Sequence, residues 1–83
     1  MLGKQEIGRR LRVARKSKGL TVQAAADAAC VAISTISMYE TGHRVPCDTA
    51  KVKLSEVYEV PIQDLFYLAE DATEEGTNKE ESE

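Results

Sequence analysis

Eighty-three residues suit one small domain, and a chain this short needs an efficient core or a partner subunit. Its 42% apolar and 30% charged residues are ordinary for a globular protein, while no apolar run approaches the roughly 20 residues of a membrane span and no signal-peptide core follows Met1, so a cytoplasmic protein without membrane contact is expected. The net charge of −3 is unevenly spread: residues 1–68 sum to +3 and residues 69–83 to −6.

In residues 5–18, Ile7, Leu11 and Ala14 recur at spacings of four and three, the stripe of an amphipathic helix. Six bases crowd the same stretch: Arg9, Arg10, Arg12, Arg15, Lys16 and Lys18. They read either as a polyanion-binding face or as a solvated surface. Gly19 can stop the helix in a left-handed conformation. Thr21 can cap a second helix over 22–29, whose alanines favour helix and close packing. Residues 30–32 leave room only for a tight turn. A third helix is expected over 33–41, with Ile36 and Tyr39 inward and Gly42 as its stop. Residues 43–46 form a loop, since Pro46 disfavours helix at Val45. Asp48 is expected to cap a fourth helix reaching Tyr58, with Val52 or Leu54 and Val57 or Tyr58 inward. Pro61 suits the first turn of a short fifth helix over 62–68. Beyond Ala69 the chain is acidic, without apolar periodicity, and residues 70–83 read as a disordered acidic tail. Cys30 and Cys47 read as free thiols in a reducing compartment. The fold class is therefore all-α, one domain over 1–69.

Ile7-Gly8, Leu11-Arg12, Arg15, Gly19-Leu20-Thr21, Ala26, Val31, Ser34-Thr35-Ile36-Ser37, Tyr39-Glu40 and Gly42 stand in one order and spacing. Pro46, Tyr58, Val60 and Asp64-Leu65-Phe66 continue it. In these residues the chain resembles the lambda-repressor/Cro-like helix-turn-helix family of transcription regulators. The resemblance implies a five-helix DNA-binding domain. Its second helix crosses the DNA backbone, and its third lies in the major groove, where base edges are distinguishable. The implied activity is sequence-specific binding of double-stranded DNA and regulation of transcription, with repression the expected role.

The base-facing positions implied are Ile33, Ser34, Ser37 and Met38. The serines can exchange hydrogen bonds with bases or serve only as cap and solvated hydroxyl. Ile33 and Met38 offer apolar contact, for example to a thymine methyl, if they are exposed rather than buried. Phosphate contact is implied for Val22 at the start of helix two, and for Thr41, His43 and Arg44 after helix three. Arg15 and Glu40 match a structural ion pair between helices one and three.

Several residues depart from the family's pattern. Val22 replaces a glutamine, and Ile33 a long polar side chain. The recognition helix thus lacks bidentate partners for guanine or adenine, and must rely on hydroxyls, methyl contacts and DNA shape. Ala32 replaces a capping serine, and Ala24 removes half of a capping box. Cys30 and Glu59 fall where a left-handed turn is expected. Lys51 occupies an apolar position, so either it snorkels or the helix is rotated.

No cofactor, metal or catalysis is implied, since the single histidine, His43, has no nucleophile or metal-ligand spacing beside it. Rival readings keep the fold: an antitoxin-like DNA-binding partner whose tail binds a protein, or an interaction module that no longer reads DNA. A homodimer on DNA is expected, because one recognition helix reads few base pairs. Its candidate contacts are Leu65, Phe66 and Leu68, which are otherwise core.

Overall fold

Four of the helix ends share one backbone solution, and these ends set the spacing of the elements. The computed structural model describes residues 2–67. In chain order they form α1 (Lys4–Ser17), α2 (Val22–Ala29), α3 (Ile33–Glu40), α4 (Asp48–Tyr58) and α5 (Ile62–Phe66). No strand occurs among the described residues. After α1, Gly19 turns left-handed at φ 78°, and the Gly19 and Leu20 N–H groups donate back to Lys16 O and Arg15 O. Gly42 does the same after α3 at φ 82°, with its own and the His43 N–H bonded to Tyr39 O and Met38 O. Cys30 after α2 (φ 60°) and Glu59 after α4 (φ 57°) take the same conformation without being glycine. This strain is local, and the returned bonds from Val31 N to Ala26 O and from Val60 N to Ser55 O compensate for it.

The core is one cluster to which every helix contributes: Ile7, Leu11 and Ala14 from α1, three alanines of α2, Ile36 and Tyr39, Leu54 and Tyr58, and Leu65 with Phe66. The small side chains Ala25, Ala26 and Ala29 let α2 sit close to both α3 and α4. Helix α1 lies between α3 and α5. Its approach to α3 is through Gly8, where a Cβ would stand 2.5 Å from Glu40 O and 2.7 Å from Tyr39 O. The open choices in α4 resolve to Leu54 and Tyr58, leaving Val52 47% exposed.

Some expectations need correction. Helix α3 stops at Glu40 and α5 at Phe66, each shorter than expected. The backbone of Thr41 remains right-handed as a cap, while Tyr67 is extended. Asp48 is the first residue of α4 rather than its cap; Cys47 holds the cap position with no side-chain bond. Pro61 likewise precedes α5 as its cap residue. Leu65 and Phe66 are 1% and 0% exposed, so they belong to the protomer's core and offer no subunit contact. Their side chains face inward because α5 is held on both sides, by Arg10 donating to Asp64 O (2.8 Å) and by Leu2 N donating to Phe66 O (2.9 Å). Lys51 snorkels. Its stem is buried, and its Nζ lies 5.6 Å from the centroids of both the Phe66 and Tyr67 rings. Leu68 and the acidic tail over 70–83 lie outside the described residues.

Candidate nucleic-acid interface

Helices α2 and α3 meet at 111° across the three residues Cys30, Val31 and Ala32. Each joint in this unit has a local cause. Thr21 Oγ1 accepts from Ala24 N at 3.0 Å and starts α2. The left-handed Cys30 ends α2 and redirects the chain at once. Ala32, in contrast, caps α3 with no side-chain bond, which forgoes about 0.5–2 kcal/mol relative to a serine.

The 3.6-residue period then divides α3 into two faces. Ile36 and Tyr39 are buried. Ile33, Ser34, Ser37 and the capping Thr41 are exposed, and Met38 at the edge is half-buried. Ile33 is 50% exposed, which removes the alternative that it is a core residue. The four expected base-facing residues thus lie on one outward side, Met38 least accessibly.

That side is held at a fixed angle from behind. Arg15 Nε donates to Glu40 Oε2 at 2.6 Å, and a second guanidinium nitrogen donates to Glu40 Oε1 at 3.0 Å. A third nitrogen donates to Leu20 O at 2.9 Å. The expected ion pair therefore exists, is about nine-tenths buried, and joins the end of α1, the turn before α2 and the end of α3. The Glu40 carboxylate raises the affinity of Arg15 for its proton.

Tyr58 lies beside this pair. Burial pushes its phenol up to about 12, and the Glu40 carboxylate adds to the shift. A folded-state value above the ordinary one favours the protonated phenol. Its contribution is complete below the unfolded value near 10 and is lost as pH rises toward 12. Thermal midpoints of the wild type should therefore fall more steeply than those of Tyr58→Phe between pH 10 and pH 12. Lysine titration is common to both proteins and cancels. Parallel profiles would mean that water reaches the phenol in the folded state.

Past α3, Thr41 Oγ1 donates to Ser37 O at 2.9 Å and lies 2.7 Å from His43 Nδ1. His43 and Arg44 are exposed, so the loop presents an imidazole and a guanidinium beside the outward side of α3. Val22 is half-buried against the core, which leaves its backbone N–H, without an intrahelical partner at a helix start, as its available group. The basic cluster of α1 is largely self-satisfied. Glu6 binds Arg9 and Arg10 and is held down to about 2 by them, chiefly by Arg9. Lys18 pairs with Glu59 at 2.7 Å. Among the described residues, Arg12 and Lys16 are exposed and in no ion pair.

Two helices joined at 111° by a three-residue turn, with the second standing proud, fit a helix-turn-helix, and residues 6–66 match the helix-turn-helix domain family. The chain belongs to that family. No curated protein matches it. Among solved structures, the restriction-modification controller protein C.AhdI from Aeromonas hydrophila is 27% identical with a TM-score of 0.71, over 75% of this chain and 94% of that one. An HTH_3 family transcriptional regulator from Vibrio cholerae is 27% identical with a TM-score of 0.69, over 76% of this chain and 35% of the other. The clp gene regulator ClgR from Corynebacterium glutamicum, 23% identical with a TM-score of 0.71 over 78% and 84%, shares the fold. These neighbours are named as a controller protein, a transcriptional regulator and a gene regulator. Among the described residues no single helix is long and apolar enough to cross a membrane.

The parts played by two residues of this domain escaped the sequence reading. Gln23 is exposed in the first turn of α2, beside the position where Val22 was expected to act. It is the only carboxamide on α2, which was a usable signal. Arg10 looked like one more member of the basic cluster, yet it ties α1 to α5 through Asp64 O and Tyr67 O. Nothing in the sequence distinguishes it from Arg9.

Proposed function

We propose that this helix-turn-helix protein binds double-stranded DNA with α3 in the major groove and so regulates transcription, most simply by repression. The observation that carries the reading is the outward side of α3, which is rigidly braced from behind by the Arg15–Glu40 pair. Ile33, Ser34, Ser37 and Met38 would face base edges. The N–H groups at the start of α2 near Val22, together with Thr41, His43 and Arg44, would meet phosphates. A homodimer reading a rough palindrome, half-sites about 34 Å apart, would supply the specificity that one helix lacks.

The test is a salt titration of DNA affinity on the wild type and two variants. Arg44→Ala should weaken binding alike on all sequences and flatten the slope of log affinity against log salt by about one unit. Ser34→Ala should instead change the preference among sequences. An unaltered salt slope for Arg44→Ala would remove Arg44 from the phosphate contacts.

The uncharged outward side of α3 favours a second reading, docking onto an apolar surface of a protein. Such docking depends weakly on salt, whereas phosphate contact depends on it steeply. The same titration separates them.

A further inference from the structure

Val13, Ile33 and Val52 are the large apolar side chains left exposed among the described residues, and only Ile33 lies on α3. Val22 at the start of α2 and Val31 in the turn are drawn onto the core, but Ile33 is not. It stands in the first turn of α3, the part of a recognition helix that comes nearest to base edges. Around it the outward side carries Ser34, Ser37 and Thr41, with the less accessible Met38 at its edge and no carboxamide, ammonium or guanidinium. The one charged residue of α3, Glu40, is turned inward onto Arg15.

We propose that Ile33 is the main specificity-determining residue of this surface and that it reads the C5 methyl group of thymine. The inference rests on the DNA-binding reading above. In the major groove the thymine methyl is the apolar feature among the base edges. Guanine and adenine are selected by bidentate donors or amides, which this side of α3 does not have. A serine hydroxyl both donates and accepts, so Ser34 and Ser37 discriminate poorly between bases. The Thr41 hydroxyl is already committed to Ser37 O and His43. A β-branched side chain in a helix also has essentially one χ1 rotamer. Ile33 is thus a stiff apolar knob that loses little freedom when a methyl group settles against it. Burying one methyl corresponds to about a fourfold gain in affinity per half-site, and about fifteenfold for two.

The probe is the preferred duplex recovered from a random library by the full chain, with its thymines replaced singly by deoxyuridine. That change removes the methyl and leaves the pairing edge intact. One thymine per half-site should respond, with about a fourfold loss on replacement. Ile33→Ala, which removes no core contact and should fold as the wild type does by circular dichroism, should bind the thymine and deoxyuridine duplexes equally. Ile33→Val should keep the difference. Indifference of the wild type to every deoxyuridine replacement would overturn the proposal while leaving DNA binding intact. A thymine preference undiminished in Ile33→Ala would overturn it too, because the methyl would then be acting through DNA stiffness or another side chain. Failure to enrich any duplex over the starting pool would instead remove the DNA-binding reading, and this inference with it.

Discussion

Gly8→Ala should lower stability by about 2 kcal/mol, a fall in the thermal midpoint of about 10 °C for a domain of this size. On propensity alone the change should stabilise, since alanine in a helix interior is favoured over glycine by about 1 kcal/mol. Packing reverses the sign. The added Cβ would stand 2.5 Å from Glu40 O, 2.7 Å from Tyr39 O and 2.8 Å from Glu40 C, all backbone atoms. No side-chain rotation can relieve such a contact, so α1 and α3 must move apart. That movement would also stretch the Arg15–Glu40 pair, which spans the same two helices. Gly19→Ala is the contrasting variant. It meets no atom within 4 Å and is strained only by its φ of 78°, so it should lose about 1 kcal/mol without disturbing α3. Thermal denaturation of the two variants, with DNA affinity measured below both midpoints, separates packing from backbone strain. A Gly8→Ala midpoint at or above the wild type would mean that the helices stand further apart than this structure has them.

The same residue shows what a sequence can and cannot disclose. The starts and stops around α1 to α3 were legible where they depend on local chemistry: Thr21 caps, Gly19 and Gly42 turn left-handed, and the stripe of Ile7, Leu11 and Ala14 has the helical period; the cap of α4 and the end of α5 were not. The left-handed Cys30 and Glu59 were anticipated only through the family resemblance, which places a left-handed turn at both positions; their side chains gave no such signal. Gly8 announces only a weak spot in a helix; its reason is the backbone of α3, more than thirty residues further on. Leu65 and Phe66 were ambiguous for a related cause. Five residues make little more than one turn, too short for a period to distinguish inside from outside. The bonds from Arg10 and Leu2 that orient α5 come from distant chain. The basic cluster was misleading because charge counts do not reveal pairing, and Glu6, Glu40 and Glu59 engage four of its six members. The exposure of Ile33, Ser34 and Ser37 was legible from the helical period of α3. It was not legible at Met38 and Val22, whose partial burial depends on the neighbouring elements.

Glu40→Leu should be the most damaging single change, at about 3–5 kcal/mol. Arg15 would keep its bond to Leu20 O but would lose both carboxylate contacts in a site where its side chain is 10% exposed. Against a total stability of about 5–15 kcal/mol, such a loss brings a small domain close to unfolding at room temperature. Removing both charges should behave quite differently. Arg15→Met with Glu40→Leu exchanges a desolvated pair for apolar contacts of similar volume, and such exchanges are often neutral or stabilising. The double variant should therefore melt near the wild-type midpoint, giving a large favourable coupling in the double-mutant cycle. Its DNA affinity should nevertheless fall, because the two-point bond that fixes the end of α3 against α1 has been replaced by contacts without direction. Stability and binding would then separate, which assigns the pair to orientation of the recognition surface rather than to strength of the fold. A Glu40→Leu loss under about 1 kcal/mol would place the pair among solvated surface bridges. A double variant that recovers both stability and full affinity would deny it any orienting role.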